Sequence, residues 1–398
     1  MARTDEQRTA DAAGAGARGV LGLRADGQPV GDRDTGSAWF GGRFADRLCA
    51  VSEDPADLDR GGWWAVVLTF EGALRMWRFD RVRRMPLPGG GPWRGPAAGQ
   101  WRSSLDEREY LAGVRRIREL VREGEVYQVN LCRVLSAPAG PDPDPWALAA
   151  ILARGNPAPY AGVIDIPPGA GVGPGMGPGA GTEEGMALVS ASPELFLRRR
   201  GDLVRSGPIK GTAADAGGLL PKDEAENVMI VDLVRNDLQQ VCLPGTVAVP
   251  ELLRLEHHPG LVHLVSYVEG RLRPGTGWPA LFAATTPPAS VSGTPKVSAL
   301  RAIGALEPVP RGPYCGAIGW VDADRGEAEL AVGIRTFWWQ DGMLRFGTGA
   351  GITWGSDPAQ EWAETEIKAD RLVGLATGDD GAGHRVRGGT FRAGGQAR

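Results

Sequence analysis

The amino-acid sequence predicts an α+β fold built largely from antiparallel strands. Two pairs of strand-like runs are each joined by a tight turn. The first pair covers residues 63–70 and 73–79 around Glu71-Gly72, and the second covers residues 328–339 and 343–347 around Gln340-Asp341-Gly342. Helical patterns stand between such hairpins and do not alternate with single strands, so a doubly wound parallel sheet is not expected. The chain of 398 residues is long enough for one large domain or two intertwined ones.

The sequence predicts a helix over residues 104–123. Apolar residues recur at helical spacing, Ser104 and Glu107 form a capping box, and Gly124 ends the helix. A second helix has Asp357 as N-cap and Pro358 in its first turn, and runs to about residue 375. The remaining patterns predict strands over 126–134, 187–192, 194–199 and 203–209, and a helix over 222–238.

Both ends of the chain differ in composition from the middle. Residues 1–36 are polar, rich in Gly and Ala and without periodicity, which predicts a flexible leader, and residues 377–398 predict a flexible tail. Residues 37–376 are then expected to form a single large unit.

Composition excludes several classes of protein. A net charge of −4 and a pI near 5.8 give no basic surface for nucleic acid. The four cysteines show no CxxC spacing, which argues against a zinc site and against a disulfide framework. The sequence has no apolar run long enough for a membrane span and no secretory signal, so a cytoplasmic protein without membrane contact is expected.

Lys210 is the most informative single residue. It lies between Ile209 and Gly211, sixteen residues after Glu194. A lysine enclosed in this way is expected in a wall, where loss of hydration favours the neutral amine. An amine near a carboxylic acid suits covalent attack on carbon with acid-assisted loss of a leaving group.

The spacing of acidic residues on two helices points to a hard metal ion. Asp223 and Glu226 share one helix face, as do Glu361 and Glu364 on the last helix. Two facing carboxylate pairs would suit Mg²⁺, which binds through one or two carboxylates and keeps several waters. Either helix alone is more often a solvated face, so the hypothesis needs both.

Three further features bear on binding. Glycines over residues 347–351 could let backbone amides approach an anion, although this signal is weak alone. Arg335, on a strand that looks buried, needs a carboxylate partner from the protein or from a ligand. His263 alternates with apolar residues, and a buried core histidine is its ordinary interpretation.

The turn at Gly201-Asp202 leaves one question open. A simple two-residue turn pairs Glu194 with Ile209, which puts Lys210 one step away and on the other face. A bulge or an odd-length turn would bring both side chains to one face.

Taken in order, these segments resemble the chorismate-utilising enzymes, the family of anthranilate, aminodeoxychorismate, isochorismate and salicylate synthases. The similarity runs from about residue 104 to residue 375. The motifs that carry it are Tyr-Gln-Val-Asn-Leu (127–131), Ser-Pro-Glu (192–194), Pro-Ile-Lys-Gly-Thr (208–212), Ala-Glu-Asn-Val-Met-Ile-Val-Asp-Leu-Val-Arg-Asn-Asp-Leu (225–238), Val-His-Leu-Val-Ser (262–266), Ser-Gly-Thr-Pro-Lys (292–296), Tyr-Cys-Gly-Ala-Ile-Gly (314–319), Gly-Ile-Arg-Thr (333–336) and Glu-x-x-Glu-Thr-x-x-Lys-Ala (361–369).

The resemblance implies two antiparallel sheets packed face to face with helices outside, in four layers. Residues 104–376 would form the chorismate-binding core and residues 37–103 a less similar N-terminal part. It also implies Mg²⁺ held directly by Glu226 and Glu364, and through water by Asp223 and Glu361.

The resemblance further implies a set of substrate contacts. The metal would bind the ring carboxylate of chorismate, and Glu194 would be the general acid that expels the ring hydroxyl. The remaining positions implied to bind substrate are Gln128, His263, Ser290, Tyr314, Arg335, Gly349, Ala350, Gly351 and Lys368.

Two positions distinguish members of the family. Gln128 stands where the water-activating enzymes carry lysine, and a neutral amide cannot deprotonate water. Lys210 stands where anthranilate synthases usually carry alanine. This lysine resembles the aminodeoxychorismate synthases, component I, of the 4-aminobenzoate branch of folate synthesis.

The resemblance implies that ammonia comes from a separate glutamine amidotransferase, component II. An anthranilate synthase component I, or an aminase of secondary metabolism, remains the alternative activity. A non-catalytic chorismate-binding subunit is disfavoured by the intact Glu194 and Lys210. One departure concerns Pro288-Ala289, where relatives carry glycine and where a methyl group would crowd Ser290.

Overall fold

The computed structural model describes residues 36–140, 144–170, 185–213, 216–219, 221–258 and 261–377. Apart from Gly36 and Thr377, the predicted leader and tail lie outside the described residues.

Strands and short helices follow one another along the chain. The strands are β1 Ser37–Phe40, β2 Arg43–Ser52, β3 Trp63–Leu68, β4 Leu74–Arg84, β5 Arg102–Ser103, β6 Gln128–Pro138, β7 Tyr160–Ile166, β8 Met186–Ser192, β9 Leu195–Arg200, β10 Leu203–Gly207, β11 Ile209–Ala213, β12 Ala248–His258, β13 Leu261–Arg271, β14 Gly293–Thr294, β15 Ala317–Asp322, β16 Glu327–Val332, β17 Thr336–Gln340 and β18 Met343–Ile352. The helices are α1 Glu107–Arg122, α2 Pro145–Gly155, α3 Pro221–Gln239, α4 Trp278–Thr285, α5 Lys296–Leu306 and α6 Pro358–Ala376.

Every pair of these strands is antiparallel, as the sequence predicts. The first sheet has the order β13–β10–β9–β16–β15–β3–β4–β2, and β11 and β12 also pair with β13. The second has the order β7–β8–β17–β18–β6, with β5 and β14 on β6. Strand β1 pairs with both β2 and β7 and joins the two sheets.

Alternation along β17 shows how the layers pack. Trp338 belongs to a core cluster that also contains Trp77 and Ile318 of the first sheet. Its neighbour Phe337 points the other way, into a cluster with Leu152 of α2 and Leu372 of α6. Successive strand residues face opposite sides of a sheet, so the second sheet packs on the first with one face and on helices with the other. The predicted layered α+β fold is confirmed.

The start of α1 differs from the prediction. The N-cap is Asp106, whose side chain forms the capping box with Glu109, and the helix begins at Glu107. Ser104 is not a cap because its hydroxyl accepts a hydrogen bond of 3.0 Å from the Val134 amide of β6. The predicted end is confirmed, since Gly124 has a φ of +79° immediately after the helix.

The cap of the last helix is confirmed. The Asp357 side chain accepts hydrogen bonds from the amides of Ala359 and Gln360, and Pro358 occupies the first turn. None of the described helices is both long and apolar enough to cross a membrane.

The strand predicted over residues 328–339 is wrong in one respect. It is two strands, β16 and β17, which pair with different partners, β9 and β8. The chain crosses between the sheets at Gly333-Ile334-Arg335, where Arg335 has a φ of +51°. Arg335 is therefore a residue of a crossing, not of a continuous strand.

Candidate active site

Two crossings between the sheets lie side by side. One joins β8 to β9 and carries Glu194, and the other joins β16 to β17 and carries Arg335. The Val332 amide donates to the carbonyl oxygen of Glu194 at 3.0 Å, and the Ala191 amide donates to that of Arg335, also at 3.0 Å. Backbone bonds thus fix the acid and the cation on adjacent segments.

Glu194 has the environment of a general acid. Its side chain is buried, and burial raises its pKa to about 7 against the opposing effects of the Ser290 side chain, the Lys210 charge, the Ile209 amide and the Arg335 charge. Its Oε1 has no hydrogen-bond partner among the described residues. An acid with a pKa near neutrality holds a proton that it can donate at physiological pH.

A β-bulge places Lys210 on the side of Glu194. The register of β9 and β10 shifts by one residue, so that Phe196 and Leu197 together face Ser206. When this shifted register is continued past β10, the side chains of Lys210 and Glu194 point to the same face of the sheet. From the sequence, either a bulge or an odd-length turn could bring the two side chains to one face, and the structure contains the bulge. Lys210 is half-buried, and its charge acts on the Glu194 carboxyl.

Gly211 brings α3 against this strand. Its φ is +85°, and a Cβ there would lie 2.9 Å from the Cβ of Asp223. Glycine is required both by this conformation and by this close approach. Asp223 therefore lies beside the residue that follows Lys210.

Gln128 and Ser290 lie on neighbouring segments. The Asn130 side-chain amide donates to the carbonyl oxygen of Ser290 at 2.9 Å, which ties the Ser290 turn to β6. Gln128 is 1% exposed, and neither atom of its side-chain amide has a partner among the described residues. A buried amide with free donor and acceptor positions is expected to meet a polar ligand, because burial without a partner costs about 1–3 kcal/mol.

Arg335 also fits a ligand. Within the described part of the chain, no Asp or Glu lies within 4 Å of its guanidinium, and burial lowers its pKa, an effect that the Glu194 charge opposes. The sequence required a carboxylate partner from the protein or from a ligand, and the described protein provides none at ion-pair distance. This favours a ligand carboxylate.

The glycines at 347, 349 and 351 lie within β18, where each is paired with a residue of β6. A Cβ on Gly347 would be 2.0 Å from the Tyr314 ring, and one on Gly351 would be 2.4 Å from Nε2 of Gln128. The alternating glycines clear one face of the strand for these side chains. The binding of substrate by Gly349, Ala350 and Gly351 stays a prediction.

Lys368 lies at the outer end of this region. Its Nζ donates to the carbonyl oxygen of Gly349 at 3.1 Å and pairs with Glu364 at 2.6 Å. The predicted binding residue is thereby held between α6 and β18.

Tyr314 and His263 are both buried. Burial, with Cys132 and Cys315 beside it, raises the pKa of Tyr314 well above its ordinary value. His263 is buried on β13 opposite Glu256, as its ordinary interpretation predicts. Their roles toward substrate stay predictions.

Comparison with known proteins decides the family. The family model for chorismate binding enzymes matches residues 91–374. The chain belongs to this family. The predicted resemblance is confirmed.

Relatives of this chorismate-binding enzyme carry two different names. Anthranilate synthase component 1 of Thermus thermophilus is 36% identical over 338 residues, which cover 82% of this chain and 66% of the relative. Aminodeoxychorismate synthase component 1 of Klebsiella aerogenes is 36% identical over 285 residues, covering 69% of this chain and 59% of the relative. The chain thus spans about three fifths of the length of such relatives.

A solved structure supports the fold. A Bacillus anthracis protein assigned as a 2,3-dihydroxybenzoate-specific isochorismate synthase superposes with a TM-score of 0.72 at 25% identity, covering 87% of this chain and 98% of that one.

The metal site of this chorismate-binding enzyme stays a prediction. Asp223 and Glu226 share one face of α3, and Glu361 and Glu364 share one face of α6. Their oxygen donors are chemically suited to Mg²⁺. Over the ranges that the structure describes, however, no three His, Cys, Asp or Glu side chains are grouped closely enough to hold an ion.

A buried ion pair near Glu194 was not predicted from the sequence. Asp237 of α3 is 6% exposed and accepts from Nζ of Lys296 at 2.8 Å. Both residues stand inside the motifs at 225–238 and 292–296. The burial of Asp237 could have been inferred from its position beside Leu238 and one turn from Val234, which are buried core positions of the same helix.

Proposed function

We propose that this chorismate-binding enzyme is an aminodeoxychorismate synthase component I, which aminates chorismate at C4 and retains the enolpyruvyl group. One observation carries the proposal: the half-buried primary amine of Lys210 lies close enough to the buried Glu194 carboxyl for its charge to lower the pKa of that carboxyl. Anthranilate synthases resemble this chain elsewhere but usually carry a small alanine at the position of Lys210.

In the proposed mechanism, neutral Lys210 attacks C2 of chorismate and forms a C–N bond. Both ring double bonds shift by one position, the C4–O bond breaks, and Glu194 gives its proton to the departing hydroxyl, which leaves as water. Ammonia then attacks C4, both double bonds shift back, and the C2–N bond to Lys210 breaks. The proton that the incoming nitrogen loses balances the proton that Glu194 donated.

The two carboxylates of chorismate have separate anchors in this proposal. Arg335, with Tyr314, holds the enolpyruvyl carboxylate, since the described protein leaves its guanidinium without a carboxylate. Lys368 and the β18 glycines hold the ring carboxylate. The four acids Asp223, Glu226, Glu361 and Glu364 would hold Mg²⁺, which when bound neutralises charge on that carboxylate.

The choice of ammonia over water follows from Gln128. Its neutral amide has both hydrogen-bonding ends available, and it cannot remove a proton from water. Ammonia would be delivered by a separate glutamine amidotransferase, component II, and the product would serve 4-aminobenzoate and folate synthesis.

The test is an assay of purified protein with chorismate, Mg²⁺ and an ammonium salt, with products resolved by mass spectrometry. The proposal requires a product that keeps the enolpyruvyl group. Accumulation of anthranilate, which has lost pyruvate, would contradict it.

Anthranilate synthesis is the second candidate. It is favoured by relatives of that name with similarity as high as that of the aminodeoxychorismate synthases. An aminase serving a secondary metabolite would make an aminated chorismate in the same assay, and its product is separated from 4-amino-4-deoxychorismate by the position of the amino group.

A further inference from the structure

A small cavity lies behind the Glu194 carboxyl, on the side of α3 and α4. Its volume is about 20 Å³. The polar residues that line it are Glu194, Ser206, Asp237, Thr285 and Ser290. The rest of its lining is apolar. A cavity of this size has room for about one water molecule, which needs two to four hydrogen-bonding partners.

The β-bulge described above creates this space. Leu195, Phe196 and Leu197 of β9 and Ser206 of β10 all line the cavity, so it lies where two residues of one strand face one of the other. A bulge leaves its extra residue unpaired and locally opens the ladder. The same irregularity therefore brings Lys210 to the side of Glu194 and opens the space behind it.

The partners for a water are present. Oε1 of Glu194 is buried without a hydrogen-bond partner among the described residues. The Thr285 hydroxyl uses its proton on the Leu281 carbonyl at 2.7 Å and so can accept from a water. Asp237 offers a carboxylate of which Oδ2 already accepts from Lys296 at 2.8 Å.

Lys296 connects this buried group to solvent. Its side chain is 26% exposed, whereas that of Asp237 is 9% exposed. Burial raises the pKa of Asp237, an effect that the Lys296 charge opposes. A route of polar groups therefore runs from solvent through Lys296 and Asp237 to the cavity and Glu194.

We propose that this cavity holds one water molecule through which Glu194 exchanges its proton with the Asp237–Lys296 pair. The inference rests on the proposed role of Glu194 as the acid that expels the C4 hydroxyl. After that step Asp237 takes a proton from the Lys296 ammonium and passes it to the water, and the water gives a proton to the Glu194 carboxylate. Solvent then returns a proton to Lys296, so that every group of the relay regains its starting protonation state.

The charged groups around Glu194 set the direction of the expected pH effect. Lys210 of β11 and Arg335 of the neighbouring crossing both lower its pKa. Asp237 of α3 is the anion across the cavity. Replacing Asp237 with a neutral amide removes a negative charge and leaves the Lys296 cation, so the pKa of Glu194 falls.

The experiment compares the wild-type enzyme with Asp237→Asn and with the matched control Asp232→Asn, an exposed acid on the same helix. Amination is measured from pH 6 to 9 in H₂O and in ²H₂O. For Asp237→Asn we expect kcat to fall about tenfold, the alkaline limb to move to lower pH, and the solvent isotope effect to rise. The KM for chorismate should change by less than about twofold, and Asp232→Asn should match the wild type.

A second variant covers the case in which Asp237→Asn does not fold. Thr285→Val removes a cavity hydroxyl without a change of charge, and it should raise the solvent isotope effect while leaving KM unaltered. Wild-type pH profiles and isotope effects in the folded variants would overturn the relay. If the wild type makes anthranilate, the proposed function fails, but the same comparison still tests the relay because Glu194 is the acid in either amination.

Discussion

A single extra residue in β9 turns the side chains of Lys210 and Glu194 to the same face of the first sheet. The bulge sets Phe196 and Leu197 against Ser206, and Gly211 then lets the chain turn beside α3. The amine is consequently held by backbone geometry near a buried acid. This arrangement makes the covalent role of Lys210 directly testable.

Lys210→Ala should lower the rate of amination by at least about 100-fold, since a nucleophile cannot be replaced by charge alone. Lys210→Arg is the matched control, because it keeps the positive charge near Glu194 and removes the nucleophile. When ammonia is left out, intact-protein mass spectrometry of the wild type should detect an adduct with the mass of chorismate less water. Both variants should lack this adduct. Near-normal turnover in Lys210→Arg would refute covalent attack.

The raised pKa of Glu194 predicts opposite effects on stability and activity. In the unfolded chain the carboxyl titrates near 4.5 and in the folded protein at about 7, so folding stability falls as pH rises between these values. The difference corresponds to about 3 kcal/mol above pH 7. Glu194→Gln should therefore abolish turnover yet increase the free energy of unfolding at pH 8 by up to about 3 kcal/mol.

Urea denaturation at pH 8 and at pH 4.5 checks this, because the gain should vanish at the lower pH. In the wild type, kcat should also decline as pH rises through about 7, where Glu194 loses its proton. Equal stabilisation at both pH values would show that the charge of Glu194 is not the cause.

Arg335→Gln should weaken substrate binding and leave stability nearly unchanged. The described protein has no carboxylate at ion-pair distance from this guanidinium, so the change strands no protein anion. Loss of a charged hydrogen bond to the substrate should raise the KM for chorismate about 10- to 100-fold. The control Arg198→Gln, whose wild-type guanidinium pairs with Glu329 at 2.6 Å, should leave KM unaltered.

Gly347→Ala should destabilise the protein by about 1–3 kcal/mol, because the added methyl would lie 2.0 Å from the Tyr314 ring in a packed core. Gly355→Ala is its control, since a Cβ there meets nothing within 4 Å and should change stability by less than about 0.5 kcal/mol. Thermal and urea unfolding measure both. Equal effects would mean that the closeness of Tyr314 is not the reason.

Mg²⁺ should raise the melting temperature if the four acids form its site. At about 100 times its Kd, binding adds about 2.7 kcal/mol to the free energy of unfolding. Glu361→Gln and Glu364→Gln should remove this gain, whereas Glu224→Gln, an exposed acid on α3, should retain it. Stabilisation by Mg²⁺ that survives in both α6 variants would place the ion elsewhere.

The antiparallel α+β class, the N-cap of the last helix and the family could all be predicted from the sequence. These features depend on local patterns, such as period-two alternation in hairpins and Asp357-Pro358 before a helix, which act over a few residues. The same patterns identified Lys210 and Glu194 as candidate chemistry.

How these residues meet depends on contacts between distant parts of the chain. The bulge opposite Ser206, the crossing that carries Arg335 and the pairing of the β18 glycines with β6 all depend on which strands become neighbours. The Asp237–Lys296 pair joins residues 59 positions apart. Contacts of this kind are set by packing between distant segments, and no spacing along the chain encodes them locally.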